Sequence, residues 1–120
     1  MASSASSSNA SIDTSLATRS AAALTECMVV LPTEDSEVFD VVAASGRTYH
    51  VDLRAGVCDC PDALHRDPTG GCKHARRVGF ATGRRPIPGW VDRSRLDPLL
   101  GSQVSGAPRI ERRDGTTEVL

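Results

Sequence analysis

Cys58-Asp59-Cys60 and Cys72-Lys73-His74 form two tight pairs, C-x-C and C-x-H, with the eleven residues 61–71 between them. No other feature limits this chain so strongly. Three thiols and one imidazole are the donor set that tetrahedral Zn²⁺ prefers. Four protein ligands fill the shell and leave no position for a water or a substrate. The pattern therefore predicts one structural zinc per chain, held by Cys58, Cys60, Cys72 and His74, in a small zinc-folded binding module that is not an enzyme. Two other readings compete. The cysteines could be small buried hydrophobes beside a surface histidine, or they could form disulfides. Clustering of three thiols with an imidazole argues against the first reading. Against the second, Cys58 and Cys60 are too close for an easy bridge, and no secretory signal precedes them.

The remaining thiol and imidazoles fit less well as ligands. Cys27 lies far upstream in an Ala-rich stretch and reads as a spectator. His65 falls inside the loop, where the shell is already complete. His50 alternates with Tyr49 and Val51, which places it on the opposite, solvated face of a strand.

In order and spacing these residues resemble the SWIM-type zinc finger, defined by C-x-C, a variable loop and C-x-H. The chain also resembles small SWIM zinc finger proteins of halophilic archaea. The resemblance covers roughly residues 38–82. It implies a strand pair before the first cysteine and a helix carrying the C-x-H end. It also implies a role in DNA binding or protein–protein contact.

The rest of the sequence fits an α+β fold: a small zinc-stabilised β-hairpin or meander plus one helix, with disordered tails. Residues 1–14 are Ser/Ala-rich and read as a disordered, low-complexity N-terminus. Over 15–37, Ala-rich helical spacing from Ser15 to Met28 predicts a short helix. Met28–Pro32 predicts a strand closed by Pro32. Glu37–Ala43 and Thr48–Leu53 predict a hairpin around Ser45-Gly46-Arg47, with Tyr49, Val51 and Leu53 on one face. An extended C-x-C sends both thiols to the same side. Cys72–Ala81 predicts a helix stopped by Gly83, with Ala75, Val78 and Phe80 against the hairpin and Arg76 and Arg77 turned outward or sideways. Together these elements suggest a treble-clef-like or ββα arrangement. Residues 83–120 are punctuated by Pro and Gly and read as a mostly flexible tail, so a fragment of residues 26–92 is expected to fold around zinc.

Composition enters at two points. Only four aromatic residues are present, Phe39, Tyr49, Phe80 and Trp90, so the core needs a metal to support it. Charge is also unevenly distributed. Residues 1–67 carry ten acids and four bases, whereas residues 68–91 carry five bases and no acid. Those five, Lys73, Arg76, Arg77, Arg84 and Arg85, suit phosphate contacts, with Tyr49 or Trp90 stacking on a base. They equally suit a solvated helix end that answers the helix dipole. The functional reading is a zinc module binding nucleic acid, DNA first, through this basic helix and its exit. The alternative is a protein–protein adaptor without nucleic-acid contact. No membrane contact or small-molecule substrate is expected, and the cytoplasm is the expected compartment.

Overall fold

The computed structural model describes residues 18–120. The expected low-complexity segment 1–14, and the start of the expected helix at Ser15, lie outside the described residues. The first helix, α1, is helical over 18–25. Four strands follow, β1 (Met28–Pro32), β2 (Val38–Ala43), β3 (Thr48–Asp52) and β4 (Val57–Cys58), and after them helices α2 (Pro61–Arg66) and α3 (Lys73–Ala81). A 3₁₀ turn (Arg93–Arg95) and a hairpin of β5 (Arg109–Glu111) and β6 (Thr117–Val119) complete the chain.

The four strands form an antiparallel meander in the order β1-β2-β3-β4. Register follows from alternation. Val41 faces Val30 on one side and Tyr49 on the other, while Phe39 faces Val51, which in turn faces Cys58. Slipping any strand by one residue would turn these side chains to solvent. Helix α3 lies across this inner face, where Met28, Val30, Phe39, Val41 and Val51 pack with Val78, Ala81 and the three buried cysteines. The expected hairpin is therefore the centre of a larger sheet, extended by β1 and β4.

A second core lies on the other side of α3, where Phe80 meets Ala23, Leu24, Ile87 and Ile110. Phe80 thus packs away from the hairpin on which it was expected. Residues 83–120, expected to be mostly flexible, instead build this core. Ile87 and Ile110 are 0 % and 3 % exposed. They are joined by bonds from the Ile87 amide to the Arg109 carbonyl (2.7 Å) and from the Glu111 amide to the Ile87 carbonyl (2.9 Å). Arg109 caps the end of α3 by donating to the Gly83 carbonyl through Nε at 3.0 Å and Nη2 at 2.6 Å. Two glycines permit the close approach. Gly83 has φ +77°, and a Cβ there would lie 2.3 Å from the Ala107 carbonyl oxygen. A Cβ on Gly106 would lie 2.2 Å from the Thr82 carbonyl oxygen. In this segment the Gly and Pro residues shape close contacts; they do not mark chain that stays apart from the core. Trp90 is 62 % exposed and does not join either core.

Arg77 ties the two layers together and is fully buried. It donates to the carbonyls of Ala23 and Glu26 (both 3.0 Å) and Met28 (2.7 Å), and to the Asp97 carboxylate (2.5 Å). Asp97 also accepts from the Met28 amide at 3.2 Å. Its own amide donates to the Leu24 carbonyl at 2.8 Å. The chain leaving α1, the start of β1 and the segment after the 3₁₀ turn therefore converge on one guanidinium.

Candidate metal centre

Each cysteine of the cluster is placed by local backbone chemistry. Cys58 ends β4 with its side chain on the inner face, opposite Val51. Cys60 is the N-cap of α2, its sulfur accepting from the Ala63 amide at 3.4 Å, with Pro61 at the first helical position. Proline is preorganised there because its missing N–H would have had no helical partner. Cys72 is the N-cap of α3 in the same way, accepting from the Ala75 amide at 3.5 Å. His74 follows two residues later, at the second position of that helix. Two helix starts and one strand end thus deliver four ligands to one point.

The four ligand atoms lie within 4.8 Å of one another, and all four residues are buried. His74 Nδ1 is 4.0 Å from Cys58 Sγ and 3.9 Å from Cys72 Sγ. Ordinary Zn–S and Zn–N bonds set tetrahedral edges of about 3.6 Å for S···N and about 3.8 Å for S···S. The cluster is therefore close to a zinc tetrahedron in size, and thiolate plus imidazole is the donor chemistry zinc takes. One buried Cys₃His group suits one metal ion such as zinc. The His74 ring packs against Tyr49, centroids 4.3 Å apart, which fixes its orientation. Tyr49, expected to stack on a base, is instead committed to this ring.

Hydrogen bonding and burial together favour a single thiolate among the three sulfurs. The bond between Cys58 and Cys72, with burial adding to it, raises the Cys58 thiol above its ordinary range. The same bond lowers Cys72, helped by His74 and the Ala75 amide. Burial raises Cys60. Binding zinc through all three sulfurs must therefore displace protons from Cys58 and Cys60. The sign follows directly: protons compete with the metal, so affinity falls as pH falls. Around neutrality, with both thiols raised, about two protons should leave per zinc, and apparent affinity should drop about a hundredfold per pH unit. Calorimetry in buffers of different ionisation enthalpy checks this. A pH-independent affinity would mean that the sulfurs are not the ligands.

The loop between the pairs is more ordered than its Gly content suggests. α2 was missed in the sequence, although Pro61, Asp62 and the basic end His65-Arg66 are helix signals in the right order. Arg19 of α1 holds Asp62 through two 3.0 Å bonds. Arg76, 5 % exposed, donates to the Gly71 carbonyl (2.8 Å), the Thr69 carbonyl (2.7 Å) and Ser20 Oγ (2.9 Å). Arg85 donates to the Gly70 carbonyl at 2.9 Å and lies over the Phe80 ring.

The five basic residues therefore do not form one exposed surface. Arg76 and Arg77 point inward, contrary to the outward or sideways expectation, because buried carbonyls and Asp97 need their donors. Lys73 pairs with Glu26 at 2.7 Å, and Arg84 pairs with Glu37 at 2.6 Å. Cys27 and His65 are exposed and outside the cluster. His50 is exposed, on the sheet face away from the cluster, as alternation predicts.

Comparisons with protein-family models, with curated proteins and with solved structures find no match to this chain. Among the described residues no helix is long and apolar enough to cross a membrane.

Proposed function

We infer that this protein is a SWIM-type zinc module whose metal is structural and whose working surface contacts another protein. The observation that carries this ordering is the internal engagement of all five basic side chains. Three of them fasten the zinc loop and α1 to α3, and the other two form surface ion pairs. Little unpaired positive charge is left in this cluster to release counterions from a phosphate backbone. A DNA-binding role loses the support that charge clustering in the sequence lent it.

A catalytic role has equally little support. Four protein ligands occupy a tetrahedral shell. A cleft of about 450 Å³ borders His74, but its charged groups, Arg19 with Asp62 and Lys73 with Glu26, already pair with each other.

Fluorescence anisotropy with labelled duplex and single-stranded oligonucleotides tests the ordering. The zinc-loaded protein should show no saturable, salt-sensitive binding at low ionic strength. Steep salt-dependent binding would restore the DNA reading if its slope of log affinity against log salt shrinks by about 0.9 for each contact removed in Arg84→Ala/Arg85→Ala.

A further inference from the structure

The four-stranded sheet has a second face, turned away from α3 and the metal cluster. Alternation puts three cross-strand rows there: Val29–Val42–Thr48, Leu31–Asp40–His50 and Val38–Asp52–Val57. Thr48 and His50 are exposed, Val57 is 55 % exposed, and Val29, Leu31, Val38 and Val42 are partly buried, each with an edge open to solvent. A run of aliphatic side chains on one open sheet face is a surface that partners cover.

The charge on this face has one sign. Asp40 and Asp52 stand on it, and neither Lys nor Arg does. Asp59 borders it, its carboxylate accepting from the His50 amide at 2.9 Å. Asp40 holds His50 Nδ1 at 2.6 Å. One carboxylate thus holds the imidazole and the other the backbone amide of His50, and together Asp40, Asp59 and His50 stay net negative even when His50 carries a proton. Arg54, in the turn after β3, pairs with Asp35 and also reaches Asp52 at 4.0 Å, so it offsets part of this charge at the end of the face. Arg47 lies in the turn between β2 and β3.

From this combination we propose that the outer sheet face docks a cationic segment of another protein, one that presents aliphatic side chains beside Lys or Arg. The inference rests on the adaptor reading and adds the surface and the partner chemistry. Charge complementarity selects this occupant. A second copy of the chain would oppose like charges. Residues 1–17 contain no Lys or Arg and cannot supply the cation.

The test uses the full, zinc-loaded chain and three probes: a short peptide of alternating Lys and Leu, its Glu and Leu counterpart, and a duplex oligonucleotide. Amide NMR should show saturable shifts at Val29, Asp40, Val42 and His50 with the Lys peptide alone. Asp40→Asn should weaken that binding by about fivefold, the equivalent of one exposed charge pair. Val29→Thr, which keeps strand propensity, should weaken it independently. Both leave Asp59 untouched, so the metal pairs keep their backbone. Shifts from the Lys peptide on another surface, absence of saturable binding, unchanged affinity in both variants, or self-association through this face overturns the proposal but leaves the adaptor reading. Shifts with the duplex around Arg84 and Arg85 overturn the adaptor reading itself.

Discussion

Replacing Cys60 with Ser should leave the full chain without bound zinc and without dispersed amide signals over residues 48–81. The substitution isolates the metal from the helix. Ser is a favoured N-cap, so its hydroxyl can still accept from the Ala63 amide in place of the sulfur. What is lost is a thiolate ligand. Zinc in finger peptides contributes an apparent ~10–16 kcal/mol, comparable to or larger than the net stability of an ordinary domain, about 5–15 kcal/mol. Helix α3 belongs to both cores through Val78 and Phe80. Unfolding its metal-bound start should therefore weaken the packing of Ile87 and Ile110 as well. Native mass spectrometry paired with amide NMR reads both effects. Stoichiometric zinc with a dispersed spectrum in the Cys60→Ser protein would disprove the ligand assignment.

Arg77→Met should be the most damaging single change outside the metal ligands, lowering stability by about 3–5 kcal/mol. It leaves Asp97 as a buried carboxylate without its cation, and the carbonyls of Ala23, Glu26 and Met28 without this donor. Adding Asp97→Leu should recover only part of the loss, since the carbonyls remain. Arg84→Ala, by contrast, breaks an exposed pair and should cost no more than about 1 kcal/mol. Urea midpoints of the zinc-loaded proteins make the comparison, and equal midpoints for Arg77→Met and Arg84→Ala would refute the structural role of Arg77. The same geometry reverses the expectation for a fragment of residues 26–92. That fragment lacks Ala23, Leu24, Asp97 and Ile110, so it should fail to fold even with zinc.

These two experiments separate what was readable along the chain from what was not. An apolar run closed by Pro32 located β1, β-branched residues located β2 and alternation located β3, each to within a residue or two, because such residues suit strands that bury one face. The paired C-x-C and C-x-H identified the whole candidate cluster, because side chains two apart on extended chain, or from an extended N-cap into the first turn of a helix, can meet within each pair without help from distant sequence. A further local signal was present but unused. Asp114-Gly115, between Arg109–Glu111 and Thr117–Val119, is a hairpin turn dipeptide.

The fate of the arginines was not readable in the same way. Lys73, Arg76, Arg77, Arg84 and Arg85 share one acid-free stretch, and nothing within it distinguishes a solvated guanidinium from a buried one. Arg77 is interior because Ala23, Glu26, Met28 and Asp97, up to 54 residues away, place carbonyls and a carboxylate around it. A charge is tolerated in a core only where such partners converge. The C-terminal segment follows the same logic. Ile87 and Ile110 are isolated apolar residues among Pro and Gly, and only the groove between α1 and α3 makes them a core. Local periodicity and ligand spacing determined the sheet and the metal cluster. Long-range hydrogen bonding and burial, which exist only once the chain is folded, decided which charges remained on the surface.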